Sequence, residues 1–186
     1  MNTTASCGPA TPGQEPNTLH FSAPWGRTLR WLSILTTFAC LAASATGLAF
    51  QLAPQVPLWA RVLHIGMPLF ILLGSAPFMI RGYTVTAETL LVHRLFWDTA
   101  IPLRGLIRAD PHANVMHRSW RTCGNGGLYS FTGWYWNKPL GHYRAFVTDL
   151  TNTVVMRFAH RTVVISPETP DAFVAALSPR LRDAPP

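Results

Sequence analysis

The first half of the chain is dominated by two long apolar stretches that contain no charged side chain. Arg30, Arg61 and Arg81 bound these stretches, and no Asp, Glu, Lys or Arg lies between them. The charge-free runs cover residues 31–52 ("WLSILTTFACLAASATGLAFQL") and 62–80, and the two spans are expected at about 31–52 and 60–80. Each is about as long as the 20 residues that a helix needs to cross a bilayer. The pattern therefore predicts two membrane-spanning helices.

The link between the two runs is short and holds Pro54 and Pro57, which stop helices. We therefore expect a transmembrane helical hairpin over residues 28–81. Two alternatives stay open: buried helices of a soluble protein, and a signal peptide cleaved after "ASA" at residues 43–45. The length of the runs, and the long polar stretch before the first run, favour the hairpin.

The positions of the arginines predict the orientation of the hairpin. Arg27 and Arg30 precede the first span, the link has no arginine before Arg61, and Arg81 follows the second span. By the positive-inside rule, both termini should lie in the cytoplasm.

Small residues in the two spans suggest where the helices touch. Ala39, Ala43 and Gly47 are four residues apart and share one face of the first span. Gly66 and Gly74 offer a matching small face on the second, because small residues let membrane helices approach closely. His64 lies about one turn inside the second span, and we expect it to pack between the helices.

The regions outside the hairpin differ in composition and in hydrophobic pattern. Residues 1–27 are rich in Pro, Gly, Thr and Asn and are expected to form a disordered tail, as are residues 182–186. Over residues 82–181, short β-rich runs are separated by turn residues. Strands are predicted at residues 83–86, 89–97, 99–103, 105–110, 142–149, 153–159 and 162–166.

The last apolar pattern is helical. Thr169, Pro170 and Asp171 form a helix start, with a hydroxyl cap, a proline at the first position and an acid in the first turn. Pro179 is expected to end this helix. The fold class is therefore α+β: a transmembrane hairpin, then an antiparallel β-barrel or sandwich closed by a C-terminal α-helix.

The net positive charge of the chain indicates one class of binding partner. The net charge is +7, and arginine supplies fourteen of the fifteen basic residues. For a cytosolic domain tied to a membrane, the natural partner is anionic lipid. Nucleic acid is not expected, because no helix-turn-helix, zinc-finger or RNP pattern occurs. The charge could also serve only to fix the topology.

Three segments of the β region resemble one family. "YTVTAETLLVHRLFWDTAIPLRGLIRAD", "LGHYRAFVTDLTNTVVMRF" and "VVISPETPDAFVAAL" look like the opening, the later hairpin and the closing helix of bacterial pleckstrin-homology-like (PH-like) domains. The resemblance covers residues 81–181, and two preceding spans also fit that group. It implies a strongly bent, partly open seven-stranded barrel plugged by a helix, in a multi-pass protein of the bacterial cytoplasmic (inner) membrane. The resemblance does not imply a particular ligand, because a fold does not determine function.

Motifs of catalysis and cofactor binding are missing. The stretch "RTCGNGGLYSFTGWYW" (residues 121–136) begins like a dinucleotide fingerprint at Gly124 and Gly126, but Tyr129 stands where the last glycine belongs. It is interpreted as a long connection inside the barrel. Metal-ligand spacing is absent as well, so no cofactor or metal is expected.

Cysteine and acid positions leave one enzymatic alternative. Cys7, Cys40 and Cys123 share no disulfide or metal spacing and should be reduced thiols. The carboxylates are isolated in the sequence, and no pair suggests acid–base catalysis. The alternative to a non-enzymatic protein is a membrane-bound enzyme or redox sensor that uses Cys123 and nearby histidines such as His117.

Basic and aromatic residues alternate near the glycine-rich stretch and form the candidate binding surface. Such a mixture suits lipid headgroups, a protein partner, or a second copy of the chain in a homo-oligomer. In the alternative interpretation, Trp134 and Trp136 fill the core of the barrel, and this alternative is slightly favoured. The candidate lipid- or partner-binding residues are Arg118, Arg121, Trp134, Trp136, Lys138 and Arg144.

Overall fold

The computed structural model describes residues 18–49 and 57–182. Three α-helices and ten β-strands occur there. The helices are α1 (Arg27–Ala49), α2 (Leu58–Ser75) and α3 (Pro170–Arg182), and a single 3-10 turn covers Ala76–Phe78. The strands are β1 (Leu19–Ser22), β2 (Ile80–Val85), β3 (Thr89–Arg94), β4 (Asp98–Pro102), β5 (Leu106–Pro111), β6 (Trp120–Gly126), β7 (Phe131–Asn137), β8 (Gly141–Val147), β9 (Val154–Phe158) and β10 (Thr162–Ile165).

The predicted pair of long apolar helices is confirmed. The segments Arg27–Leu48 and Leu58–Phe78 are each long and apolar enough to cross a membrane. Large apolar side chains on both helices are exposed, among them Trp31, Phe38 and Phe70. A core helix of a soluble domain would bury such side chains. Helix α2 ends at Ser75, earlier than the predicted residue 80, and residues 50–52 of the first predicted span lie outside the described residues.

Only one of the two predicted small faces lies in the helix contact. A Cβ atom at Gly47 would lie 2.6 Å from the ring of His64, so this glycine is needed where α1 meets α2. Gly66 and Gly74 have no heavy atom within 4 Å of such a Cβ position, so the matching face predicted for α2 is wrong. His64 packs against α1 as predicted, with Nε2 3.5 Å from Thr46 Oγ1.

The strands form two sheets rather than a closed barrel. The first has the order β1-β2-β3-β4 and is antiparallel throughout. The second has the order β5-β9-β10-β8-β7-β6, and its β10–β8 pair is parallel. The α+β class with a closing C-terminal helix is confirmed. Of the two expected forms, the two open sheets correspond to the sandwich rather than to the barrel, and the described chain has ten strands instead of seven, with one parallel pair.

The predicted disordered tail is wrong at its C-terminal end. Residues 1–17 lie outside the described residues, but Leu19–Ser22 form β1 and pair with β2. Leu19 lies opposite Val85, and Ser22 lies opposite Gly82. The β domain therefore includes chain from both sides of the helical hairpin.

Two apolar clusters stabilise the β domain. One lies between the two sheets and is covered by Phe173 and Leu177 of α3. Within it, the Tyr83 hydroxyl on β2 donates to the Phe146 carbonyl on β8 at 2.7 Å and ties the sheets together. The other cluster lies on the opposite face of the six-stranded sheet and is covered by the first turns of α1 through Leu29.

The C-terminal boundary of α3 differs from the sequence prediction. Helix α3 continues to Arg182, although Pro179 was expected to end it.

The glycine-rich stretch is a β-hairpin, and its interpretation as a long connection is wrong. Strands β6 and β7 pair, with a bulge between Arg121 and Cys123. Gly124 and Gly133 lie opposite each other at φ of 115° and 135°. A Cβ atom on either one would lie 2.3 or 2.2 Å from a backbone oxygen of the other strand. Only glycine allows the two strands to approach so closely.

Candidate functional site

The turn between β6 and β7 docks onto helix α1. The Ser33 hydroxyl of α1, only 2% exposed, accepts the backbone N–H of Tyr129 at 3.0 Å and donates to the Gly127 carbonyl at 3.4 Å. The Tyr129 hydroxyl lies 3.2 Å from Thr37 Oγ1, one turn further along α1. The hairpin tip is thus bonded to the first of the two apolar helices.

The same turn is bonded to the chain that follows α2. The Ser130 hydroxyl, fully buried, donates to the Phe78 carbonyl at 2.9 Å. Phe78 closes the 3-10 turn between α2 and β2. A single hairpin tip therefore contacts the chain at the domain ends of both helices, which fixes the β domain relative to the helical hairpin.

Glycine is required at the tip for two reasons. Gly127 has φ 117°, a conformation that other residues rarely adopt. A Cβ atom there would also lie 2.4 Å from Leu32 Cδ2 on α1 and 2.9 Å from the ring of Phe131. The glycine-rich sequence is thus explained by strand approach and helix docking rather than by phosphate binding.

A pocket of about 670 Å³ lies between the C-terminal part of α2 and strands β6, β7 and β8, on the sheet face that carries Trp134 and Arg144. Its walls combine apolar side chains of α2 with three arginines and one indole of the β domain. The lining residues are Ile71, Gly74, Ser75, Phe78, Arg94, Arg121, Cys123, Gly124, Asn125, Leu128, Thr132, Gly133, Trp134 and Arg144.

Arg94 is the most unusual residue of this pocket. It ends β3, is 7% exposed, and its Nε donates to Thr99 Oγ1 at 3.1 Å. Its Nη1 is shielded from solvent and has no hydrogen-bond partner. The guanidinium carbon lies 5.5 Å from the ring centre of Phe78 and 5.7 Å from that of Trp97. The aromatic rings stabilise the cation without supplying an acceptor.

A second arginine lies beside Arg94. The guanidinium carbons of Arg94 and Arg144 are 5.4 and 4.9 Å from the ring centre of Phe146. Burial, followed by repulsion from Arg144, lowers the pKa of the Arg94 guanidinium. In the described ranges the ion pairs are His93–Asp98 and Arg108–Asp110. None of the three pocket arginines is therefore paired with a carboxylate.

The structure places the six candidate binding residues in three separate locations. Arg121, Trp134 and Arg144 line the pocket. Trp136 lies two positions further along β7, opposite Trp120 and His142. Arg118 and Lys138 are exposed near the end of the hairpin that is remote from α1. Lys138 lies roughly 13 Å along the strand from Trp134.

The two tryptophans of β7 point outward. Trp134 is 48% and Trp136 is 40% exposed, whereas Tyr135 between them is 5% exposed and belongs to the cluster beneath α1. Core placement of the tryptophans, the alternative that weighed slightly more, is therefore wrong. The sequence analysis recognised that side chains of β7 alternate between the two faces of the sheet, but it assigned the tryptophans to the buried face. It did not foresee that α1 covers the other face, the one that carries Tyr135.

Sequence reasoning missed Arg94, although a signal was present. Leu90, Val92 and Arg94 occupy alternate positions of β3, and all three are buried. A charged residue in phase with two apolar ones is unusual in a half-buried strand. Ser33 carried no comparable signal, because its partners lie 94 to 96 residues away.

A chain of polar side chains joins the strands of the first sheet. His93 Nδ1 lies 2.9 Å from Asp98 Oδ1, and His93 Nε2 lies 2.6 Å from the buried hydroxyl of Thr84. The same hydroxyl lies 2.7 Å from His20 Nδ1 on β1. The Thr84 hydroxyl carries one proton, so it can donate to only one of the two imidazole rings.

Nothing in the described residues assembles the enzymatic alternative around Cys123. Its thiol is free and exposed at the pocket wall, and no hydrogen bond joins it to a histidine there. No group of three or more His, Cys, Asp or Glu side chains in those ranges could hold a metal ion. Cys40 is also a free thiol, and Cys7 lies outside the described residues.

Comparison with known proteins gives one match. The family model for the bacterial PH domain matches residues 81–181, which is more than half of the chain. No curated protein and no solved structure matches the chain.

Proposed function

This chain belongs to the bacterial PH domain family, and from that premise we propose that it is a membrane-anchored, non-catalytic protein that binds anionic lipid headgroups. In this proposal α1 and α2 cross the bacterial cytoplasmic membrane, and both termini and the β domain lie on the cytoplasmic side. The hairpin tip and the pocket beside it then face the headgroup layer.

The docking of the β6–β7 turn on both helices is the observation that carries the proposal. Ser33 and Ser130 join this turn to α1 and to the chain after α2. A domain bonded in this way cannot swing freely on a linker. Its pocket therefore stays at the level where the apolar helices end, which is where headgroups lie if the helices span a bilayer.

The charge near this end of the domain supports lipid as the ligand. Arg27 and Arg30 are exposed at the start of α1, and Arg81 is exposed at the start of β2. Cations near a membrane surface that carries anionic lipid each contribute about 1 kcal/mol of attraction. The exposed indoles of Trp134 and Trp136 suit the same layer, because indoles favour the interface.

A protein partner or a second copy of the chain is the competing occupant of this face. Tryptophan and arginine also dominate protein contacts. The enzymatic alternative gains no support, since Cys123 has no catalytic partner in the described chain.

Membrane anchorage and orientation are tested on intact cells. The full-length protein should stay in the membrane pellet after alkaline carbonate extraction, and a C-terminal reporter that works only in the cytoplasm should be active. Release of the protein into the supernatant would contradict anchorage. A reporter active only outside the membrane would reverse the orientation.

Lipid binding must be measured on the full-length chain. A fragment that starts at residue 82 would lack β1, part of β2 and the cover that Leu29 provides. In detergent, an anionic phospholipid should raise the melting temperature more than phosphatidylcholine does, and added salt should reduce the difference. Equal stabilisation by both lipids would count against the proposal and favour a protein occupant.

A further inference from the structure

We propose that the pocket between α2 and the β6–β7–β8 strands is a phosphate site, in which Arg94 and Arg144 hold the phosphate group of an anionic phospholipid. This inference rests on the proposed function and assigns it a specific ligand group and two binding residues. Arg94 on β3 and Arg144 on β8 lie 50 positions apart in the sequence, and only the folded domain brings both guanidinium groups to the ring of Phe146.

The first argument is the unpaired charge. Two guanidinium groups share the ring of Phe146, and no carboxylate lines the pocket with them. Like charges held together in a partly desolvated place repel each other, so their arrangement is costly when nothing neutralises them. An anion between them would remove this cost.

The second argument is the unused donor. Nη1 of Arg94 is buried and has no partner in the described chain, whereas its Nε is occupied by Thr99. Buried donors without an acceptor are rare in native proteins. A phosphate oxygen entering the pocket would provide the acceptor after a small rotation of the guanidinium. Arginine suits this role because its planar fork matches phosphate geometry.

The third argument favours a lipid over a free ion. Apolar side chains also line the pocket: Ile71 from α2, Phe78 from the turn that follows it, and Leu128 from the tip of the hairpin. The volume of about 670 Å³ exceeds what a phosphate ion needs. An apolar wall continuous with a membrane helix suits the glycerol and first acyl carbons of a phospholipid.

The test uses the full-length protein in detergent and native mass spectrometry. The probes are phosphatidic acid, phosphatidylcholine and a fatty acid of the same chain length as a phosphate-free anion. The wild type should bind phosphatidic acid more tightly than either of the others. Arg144→Gln should weaken phosphatidic acid binding by about tenfold or more, the usual loss for one charged hydrogen bond.

The matched control removes the same charge elsewhere. Arg104 is exposed in the β4–β5 turn, at the other end of the first sheet from Phe78, and it does not line the pocket. Arg104→Gln should leave phosphatidic acid binding unchanged. Arg144 is itself exposed on β8, so Arg144→Gln should keep the melting temperature of the wild type without lipid. Arg94→Gln is the second pocket variant and should weaken binding at least as much.

The outcomes separate the inference from the proposed function. If Arg144→Gln and Arg104→Gln weaken binding equally, or if the fatty acid binds as well as phosphatidic acid, the phosphate site is wrong while anionic lipid binding stands. If phosphatidic acid binds no better than phosphatidylcholine, both are wrong. Competition by millimolar inorganic phosphate that is lost in Arg144→Gln would support the phosphate site, whereas binding of inorganic phosphate without binding of phosphatidic acid would contradict its assignment to a lipid.

Discussion

Ser33 on α1 accepts a hydrogen bond at 3.0 Å from the backbone N–H of Tyr129, which lies 96 positions later in the chain. The contact joins an apolar helix to the turn of a β-hairpin, and the Ser33 side chain is buried there. It explains how the β domain is held against the helical hairpin instead of being tethered to it.

Ser33→Ala should destabilise the intact protein. The Tyr129 N–H would lose its acceptor and the Gly127 carbonyl its donor, which costs about 1–2 kcal/mol. The melting temperature in detergent should fall by a few degrees. Thr46→Ala is the control, because its exposed hydroxyl donates to the Ala43 carbonyl of its own helix and makes only a long contact, at 3.5 Å, with His64. Equal melting temperatures for both variants would show that the docking contact adds no stability.

Gly127→Ala should loosen the hairpin tip. The substitution combines a positive φ with a Cβ atom that would overlap Leu32 and Phe131, for a cost of about 1–3 kcal/mol. Gly66→Ala is the matched control on α2, where a Cβ atom meets nothing within 4 Å and alanine favours the helix. Limited proteolysis should cut the β6–β7 turn faster in Gly127→Ala than in Gly66→Ala. Identical cleavage rates would contradict the docked geometry.

Thr84→Val should weaken the first sheet where β1 joins it. The isosteric change removes the hydroxyl that bridges His20 and His93, at a cost of about 1 kcal/mol. Hydrogen exchange at the backbone amides of β1 should become faster. Thr84→Ser, which keeps the hydroxyl, should restore slow exchange, and failure of this rescue would assign the effect to packing instead.

Stability should fall between pH 10 and pH 12. Burial raises the pKa of Tyr83 to about 12, so the folded protein keeps a proton that the unfolded chain loses near pH 10. The stabilisation is complete below pH 10 and is lost as pH rises through 12. At pH 11.5 this tyrosine alone should reduce the free energy of unfolding by about 2 kcal/mol relative to pH 9.

Tyr83→Phe separates this effect from other alkaline titrations. The variant loses the hydrogen bond to the Phe146 carbonyl and should be less stable at pH 9. Its stability should nevertheless depend less on pH above 10. An unchanged slope would mean that other groups, such as Tyr135, whose pKa burial also raises to about 12, dominate the transition.

The sequence allowed the coarse architecture to be predicted because local patterns encode it. Charge-free runs predicted α1 and α2, and a cap, a proline and an acid at residues 169–171 predicted the start of α3. Strand β1 was missed, since four residues with little alternation carry no local signal. Its partner β2 lies beyond the whole helical hairpin.

The candidate site could be predicted only in part, because its members come from distant elements. Arg121, Trp134 and Arg144 were found through the mixture of basic and aromatic residues in one segment. Arg94 was missed, since its neighbour Arg144 lies 50 positions away and is brought near only when the first sheet packs against Phe146 of β8.

The central claim, that the pocket lies at the headgroup layer of a membrane, can be tested through a native thiol. Cys123 is exposed at the pocket wall. With Cys7 and Cys40 replaced by alanine, a spin label on Cys123 reports its surroundings in anionic vesicles by power saturation. A label at Arg104→Cys, in a variant that also lacks Cys123, serves as the water-exposed reference. The account predicts that the Cys123 label is more accessible to oxygen and less accessible to a water-soluble nickel complex than the label at position 104. Equal nickel accessibility at the two positions would contradict it.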